Sequence, residues 1–155
     1  MSELEFGKDI DDIEAPVLLA EGWKTLKLTE DPKIEPNAAF KDDPNSEKAG
    51  HNWVVRLVTE DEDPAAAGRR FTLWLGLPKP KDMETYTSDG QKVYDAKMER
   101  IVSFVEAFGG KAGGRNVSLN KGAIGMCYVL QQINKQSGEV ENVIDIFNMG
   151  FKPAD

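Results

Sequence analysis

The sequence predicts a mainly β fold: a five-stranded Greek-key barrel with one helix between its third and fourth strands. Three observations lead there. Five separate stretches carry strand patterning, the clearest being Gly68-Arg69-Arg70-Phe71-Thr72-Leu73-Trp74-Leu75-Gly76-Leu77-Pro78, where Phe71, Leu73, Leu75 and Leu77 alternate with Arg70, Thr72, Trp74 and Gly76. A single segment, Lys92 to Phe108, repeats apolar residues at helical spacing. The connections between these segments are rich in Gly, Pro, Asn and Asp.

The elements follow in order. Residues 1–16 form an acidic arm with Leu4, Phe6, Ile10 and Ile13 among its acids, ahead of a domain over 17–148 and a loose tail over 149–155. The first strand spans Gly22 to Thr29, with Lys24, Leu26 and Leu28 on one face and Trp23, Thr25, Lys27 and Thr29 on the other. Residues 30–50 hold Pro32, Pro36, Pro44, Asn37, Asn45 and Gly50 and read as a long loop. His51 to Thr59 is the second strand, with Trp53, Val55 and Leu57 on its apolar face and Asn52 and Arg56 opposite. Glu60-Asp61-Glu62-Asp63-Pro64 reads as a capped turn, so the second and third strands pair antiparallel around it.

After a polar connection over 79–91, Tyr94, Met98, Ile101, Val105 and Phe108 mark one stripe of a helix, stopped by Gly109-Gly110. The glycine-rich basic run Gly109 to Asn116 follows a helix instead of a strand and lacks the Gly-Lys-Ser/Thr ending, so it reads as a connector and not a phosphate loop. Ala123 to Asn134 and Val140 to Phe147 form the last two strands, a hairpin around Lys135 to Glu139.

The 155 residues suit one domain with a real core. The N-terminus Met1 to Glu5 is acidic without an apolar run, so no secretory leader is expected, and no stretch has the length of a membrane span. A lone Cys127 rules out an internal disulfide and fits a reducing, cytoplasmic setting; with His51 as the single histidine it cannot build a zinc site.

The net charge of −8 argues at first against a polyanionic partner, but its distribution matters more. Residues 1–63 hold 17 acids against 7 bases, whereas residues 64–135 hold 6 acids against 11 bases. A nuclease would need clustered acids, and Glu141 with Asp145 is the best local pair; a Cys or Ser nucleophile would have only His51 as an imidazole base. Neither set is complete, so no enzyme, cofactor or metal is expected.

Single strands are held without reading sequence by aromatic side chains stacked on bases and cations along the backbone. Strand alternation nominates Arg56, Arg70, Thr72 and Trp74 on the central face, Trp23 and Lys27 on the first strand, and Lys135 in the last hairpin loop. Each has a plainer alternative. Trp74 could pack beneath the 79–91 connection, Trp23 could face either way, Trp53 belongs with the core, and Arg56 and Arg70 could pair with Glu60 to Asp63.

Gly68-Arg69-Arg70-Phe71, its acidic lead Glu60 to Asp63, the helix ending Phe108-Gly109-Gly110 and the C-terminal Asn142-Val143-Ile144-Asp145-Ile146-Phe147 resemble a family of small bacteriophage proteins. That family is encoded beside replication and recombination genes and is regarded as single-stranded-DNA-binding. The resemblance covers residues 15–148 and implies an oligonucleotide-binding (OB) barrel without catalysis. It also implies single-stranded DNA as partner, in the host cytoplasm, with replication or recombination proteins meeting the acidic arm. The alternative is an acidic protein-interaction module or DNA mimic, which the overall charge favours.

Overall fold

A computed structural model of the chain describes residues 2–37 and 50–154. In chain order its elements are β1 (Gly22–Leu28), β2 (Lys33–Pro36), β3 (His51–Thr59), β4 (Arg70–Gly76), α1 (Val93–Ala107), β5 (Lys111–Gly113), β6 (Asn116–Ser118), β7 (Ile124–Ile133), β8 (Val140–Ile144) and β9 (Phe151–Pro153). The fold is mainly β with one α-helix, and every strand pairing among the described residues is antiparallel.

β1 is the centre of the sheet. Its first six residues pair with β7, Gly22↔Val129 through Lys27↔Ile124, and its last three with β3, Leu26↔Thr59 through Leu28↔Leu57. β4 covers the other edge of β3, and β8 the other edge of β7. The lateral order is therefore β4-β3-β1-β7-β8. Its two ends, β4 and β8, come within 8 Å of each other Cα to Cα, although no ladder joins them among the described residues.

Three segments depart from the sequence reading. Part of the long loop over 30–50 is β2, which pairs with the start of β3; Pro32 and Pro36 bracket it and hide it from a pattern search. Residues 38–49 of that loop lie outside the described residues. The connector over 109–116 contains β5, the whole turn Gly114-Arg115 and the first residue of β6, a small hairpin. The C-terminal tail, expected to be loose, forms β9 on β7, and its Phe151 meets Phe104 edge to face at 5.0 Å. Three residues are too few for alternation to register.

Parity explains the core. Leu26, Leu28, Val55, Leu57, Leu73, Leu75 and Cys127 are the inward members of their strands and are all buried. α1 lies against them with Ile101, Phe104, Val105 and Phe108. The buried arc sits further along the helix than the expected stripe: Phe104 and Val105 are its most enclosed residues, while Met98 is exposed and Tyr94 half-buried. Gly125 makes the seating of the helix end possible, since a Cβ there would lie 2.5 Å from the Phe108 ring.

The acidic run after β3 does cap a turn. Asp63 accepts from the Ala65 amide, and the buried Thr59 hydroxyl donates to the Ala66 carbonyl while accepting from the Arg69 amide. Arg69 donates twice to the Ala65 carbonyl, so this arginine holds the turn. A second anchor fixes the entry to α1. Asp82 is buried and accepts from Lys97 at 2.8 Å and from the Lys79 amide at 3.0 Å. Burial alone would raise its pKa, but the Lys97 and Lys79 hydrogen bonds and charges outweigh it and hold the carboxyl below its ordinary value.

Candidate nucleic-acid interface

The outward residues of β1, β3 and β4 form rows across the sheet, because antiparallel register places the same parity side by side. One row reads Arg70, Val58, Lys27, Ile124. The next holds Thr72 opposite Arg56, beside Thr29, whose amide donates to the Arg56 carbonyl at 3.0 Å. The third reads Trp74, Val54, Lys33.

Trp74 is 59% exposed, yet Val54 directly across from it is only 2% exposed. The residues the register sets beside Val54 are Trp74 and Lys33. The indole stands opposite a buried valine and is itself open to solvent. Trp74 does not pack beneath the 79–91 segment, and the concavities lined by α1 do not include it. Among the described residues the feature is a platform and not a pocket.

The cations of this face differ in how they are engaged. Arg56 meets Glu30 at 3.1 Å and Glu35 at 3.9 Å, Lys33 meets Glu30 at 3.6 Å, and Lys27 meets Glu60 at 3.8 Å. The partners of Arg56 are therefore not Glu60 to Asp63, as the sequence allowed, but Glu30 just ahead of β2 and Glu35 within it. Arg70 is exposed and makes no ion pair among the described residues. It lies two outward positions from Trp74, ~14 Å along the strand, with Thr72 between.

Five of the seven nominated residues, Lys27, Arg56, Arg70, Thr72 and Trp74, share this surface. Trp23 does not join them. It stands across from Tyr128, ring edge to ring face at 5.6 Å, and the Lys152 ammonium sits 4.5 Å from its ring centroid. Its stacking surface is thus occupied by the protein's own cation. Lys135 does not join them either. It sits in the exposed turn of the β7–β8 hairpin, past Ile133, which is itself ~14 Å of strand beyond the last β1–β7 pair. Sequence reasoning passed over Lys33 and Lys152, both in segments read as irregular.

The catalytic candidates have structural tasks. Glu141 accepts from the Asn134 side chain, and Asp145 accepts from the Phe147 and Asn148 amides. Cys127 is fully buried, and burial pushes its thiol far above the ordinary range, which makes it a poor nucleophile. Among the described residues no three His, Cys, Asp or Glu side chains gather closely enough to hold a metal ion, and no helix is long and apolar enough to cross a membrane. Comparison with known protein families and with curated proteins finds no match to the chain.

Proposed function

We propose that the chain is a sequence-independent single-stranded-DNA-binding protein, built on an OB-type barrel, in which the strand crosses the outer face of β3 and β4. The observation that carries this reading is the indole of Trp74, open to solvent on the outer face of β4, an end strand of the sheet, on a face whose free cation is Arg70 among the described residues. A ring held open on a regular strand loses little entropy when a base stacks on it, and each such stack contributes about 1–3 kcal/mol. Support for the barrel comes from the lateral order β4-β3-β1-β7-β8, with its ends curled toward each other and α1 between β4 and β7 in the chain. The phage-family resemblance of Gly68 to Phe71 and its flanks points the same way.

The ion pairs make binding an exchange. Phosphate displaces Glu30 and Glu35 from Arg56, and Glu60 from Lys27, while Arg70 is ready at once. These acids also keep the unliganded face from being strongly cationic, consistent with the chain's overall charge of −8.

The test is a titration of tryptophan fluorescence with dT-rich oligonucleotides. Quenching is expected, weakening as salt rises because released counterions drive association. Single strands should bind tighter than duplex. Absence of binding to any oligonucleotide at low salt would overturn the proposal and favour the acidic mimic.

A further inference from the structure

We infer that the single strand runs on from the β3–β4 face across β1 and leaves over a second phosphate subsite, a notch between the end of α1, the β5–β6 hairpin and the turn into β7. This rests on the function proposed above and extends its site. The notch has a volume of about 350 Å³. Lys111 of β5, Ser118 of β6, and Asn120 and Lys121 of the turn supply its polar side chains, all four exposed, and among the described residues its lining contains no acid. Neither lysine forms an ion pair among the described residues.

The backbone builds this notch and leaves the anion to side chains. Gly110 has no room for a Cβ, which would collide with the Ser118 carbonyl oxygen and lie 2.8 Å from the Val105 side chain, so the hairpin rests directly on the helix end. Alternation turns Val117 to the core, while the cross-strand pair Lys111↔Ser118 takes the opposite parity and lines the notch. The Gly109 and Gly110 amides donate to the Glu106 and Val105 carbonyls at 3.1 and 2.8 Å, and the Lys121 amide donates to Asp31 at 2.7 Å. With those amides spent, the glycine-rich run is not a nest of free N–H groups, in keeping with its lack of the Gly-Lys-Ser/Thr ending. What it offers is two ammonium groups beside a hydroxyl and a carboxamide, donors suited to a phosphodiester.

Position makes the notch a continuation of the outer face. The row Arg70, Val58, Lys27, Ile124 crosses four strands, about 14 Å from first to last. Ala123, the residue before Ile124, lines the notch. Its carbonyl accepts from the Leu28 amide at 2.9 Å, and the Gly122 amide donates to the Leu28 carbonyl at 2.9 Å. The turn is thus stitched to the end of β1, one residue beyond Lys27. Residues 38–49 leave from Asn37 and return at Gly50, whereas the notch adjoins Leu28, opposite Leu57, about 24 Å further along β3. A backbone passing Arg70 and Lys27 therefore meets Lys121 and Lys111 next.

Oligo-dT strands of about 4 to about 16 nucleotides, the range one such barrel covers, test this by tryptophan quenching. The variants are Lys111→Gln, Lys121→Gln and the two combined, all at exposed positions, and denaturant unfolding checks that each folds like the parent. On the shortest strands they should bind as the parent does. On the longest the parent should gain affinity, and each substitution should cost about fivefold at 0.1 M salt, with the slope of log K against log salt shallower by about 0.7 per lysine. Lys135→Gln removes an equal charge at an exposed position away from this path and should follow the parent at every length. Losses that are absent, that do not grow with strand length, or that Lys135→Gln reproduces would overturn the subsite and leave the Trp74 face standing. A parent that binds no oligonucleotide would overturn both.

Discussion

The two faces of the β3–β4 ribbon treat the same side chain in opposite ways. Trp53 and Trp74 belong to neighbouring pairs, Trp53↔Leu75 and Val54↔Trp74, so they differ by one step of register. That step sends Trp53 inward against the core cluster and leaves Trp74 outward and 59% exposed. The lesson is that an indole's role here is set by parity and not by its neighbours in sequence. Trp23 adds a second condition. It too lies on the outer side, but Tyr128 and Lys152 already occupy its ring. An outward aromatic becomes a platform only where the protein leaves its face unused.

The comparison breaks first at the two indoles themselves. Trp53→Ala should lower folding stability by about 3 kcal/mol in denaturant unfolding. Trp74→Ala should change it by less than about 0.5 kcal/mol. Oligonucleotide affinity should reverse the order: Trp74→Ala should lose about 1–3 kcal/mol, roughly five- to 150-fold, and Trp53→Ala much less when compared at equal fraction folded. Equal losses of affinity would refute the assignment of faces.

The inner side can then be loosened without touching the outer one. Asp82→Asn should cost about 1–3 kcal/mol of stability at neutral pH, since it removes the negative charge that the Lys97 ammonium meets at 2.8 Å. The carboxyl's pKa is lowered on folding, so its contribution is fully present above the unfolded value of 3.8 and is lost as pH falls through the lower folded value. Parent and variant should therefore converge in acid urea titrations, while their oligonucleotide affinities at neutral pH agree.

The smallest expected effect concerns the acids of the outer face. Glu30→Gln with Glu35→Gln frees Arg56 from its competitors. Exposed ion pairs contribute up to about 1 kcal/mol, so affinity should tighten by about two- to fivefold at low salt. Unchanged or weaker binding would show that Arg56 does not meet the strand.

Where the signal was local, the sequence was legible. Alternation in Gly22 to Thr29, His51 to Thr59 and Gly68 to Pro78 placed β1, β3 and β4 and the parity of Arg56, Arg70, Thr72 and Trp74. The helix was legible from its spacing, but not which arc it buries, because that depends on how α1 crosses the sheet; hence Phe104 outranks Tyr94 and Met98. β2 and β9 escaped notice because one is framed by prolines and the other is three residues long. With them went Lys33, Glu35 and Lys152, and so the state of Arg56 and of the Trp23 ring.

By itself the sequence determined which side of each strand a residue takes, since a pleat of period two is written in consecutive side chains. Only the tertiary structure decided which outward groups stay available. Arg56 is claimed by Glu30, 26 residues away, and Trp23 by the last strand of the sheet, while Trp74 and Arg70 keep open surface. Such partners come from segments distant in the chain, and no local pattern encodes where the sheet brings them together.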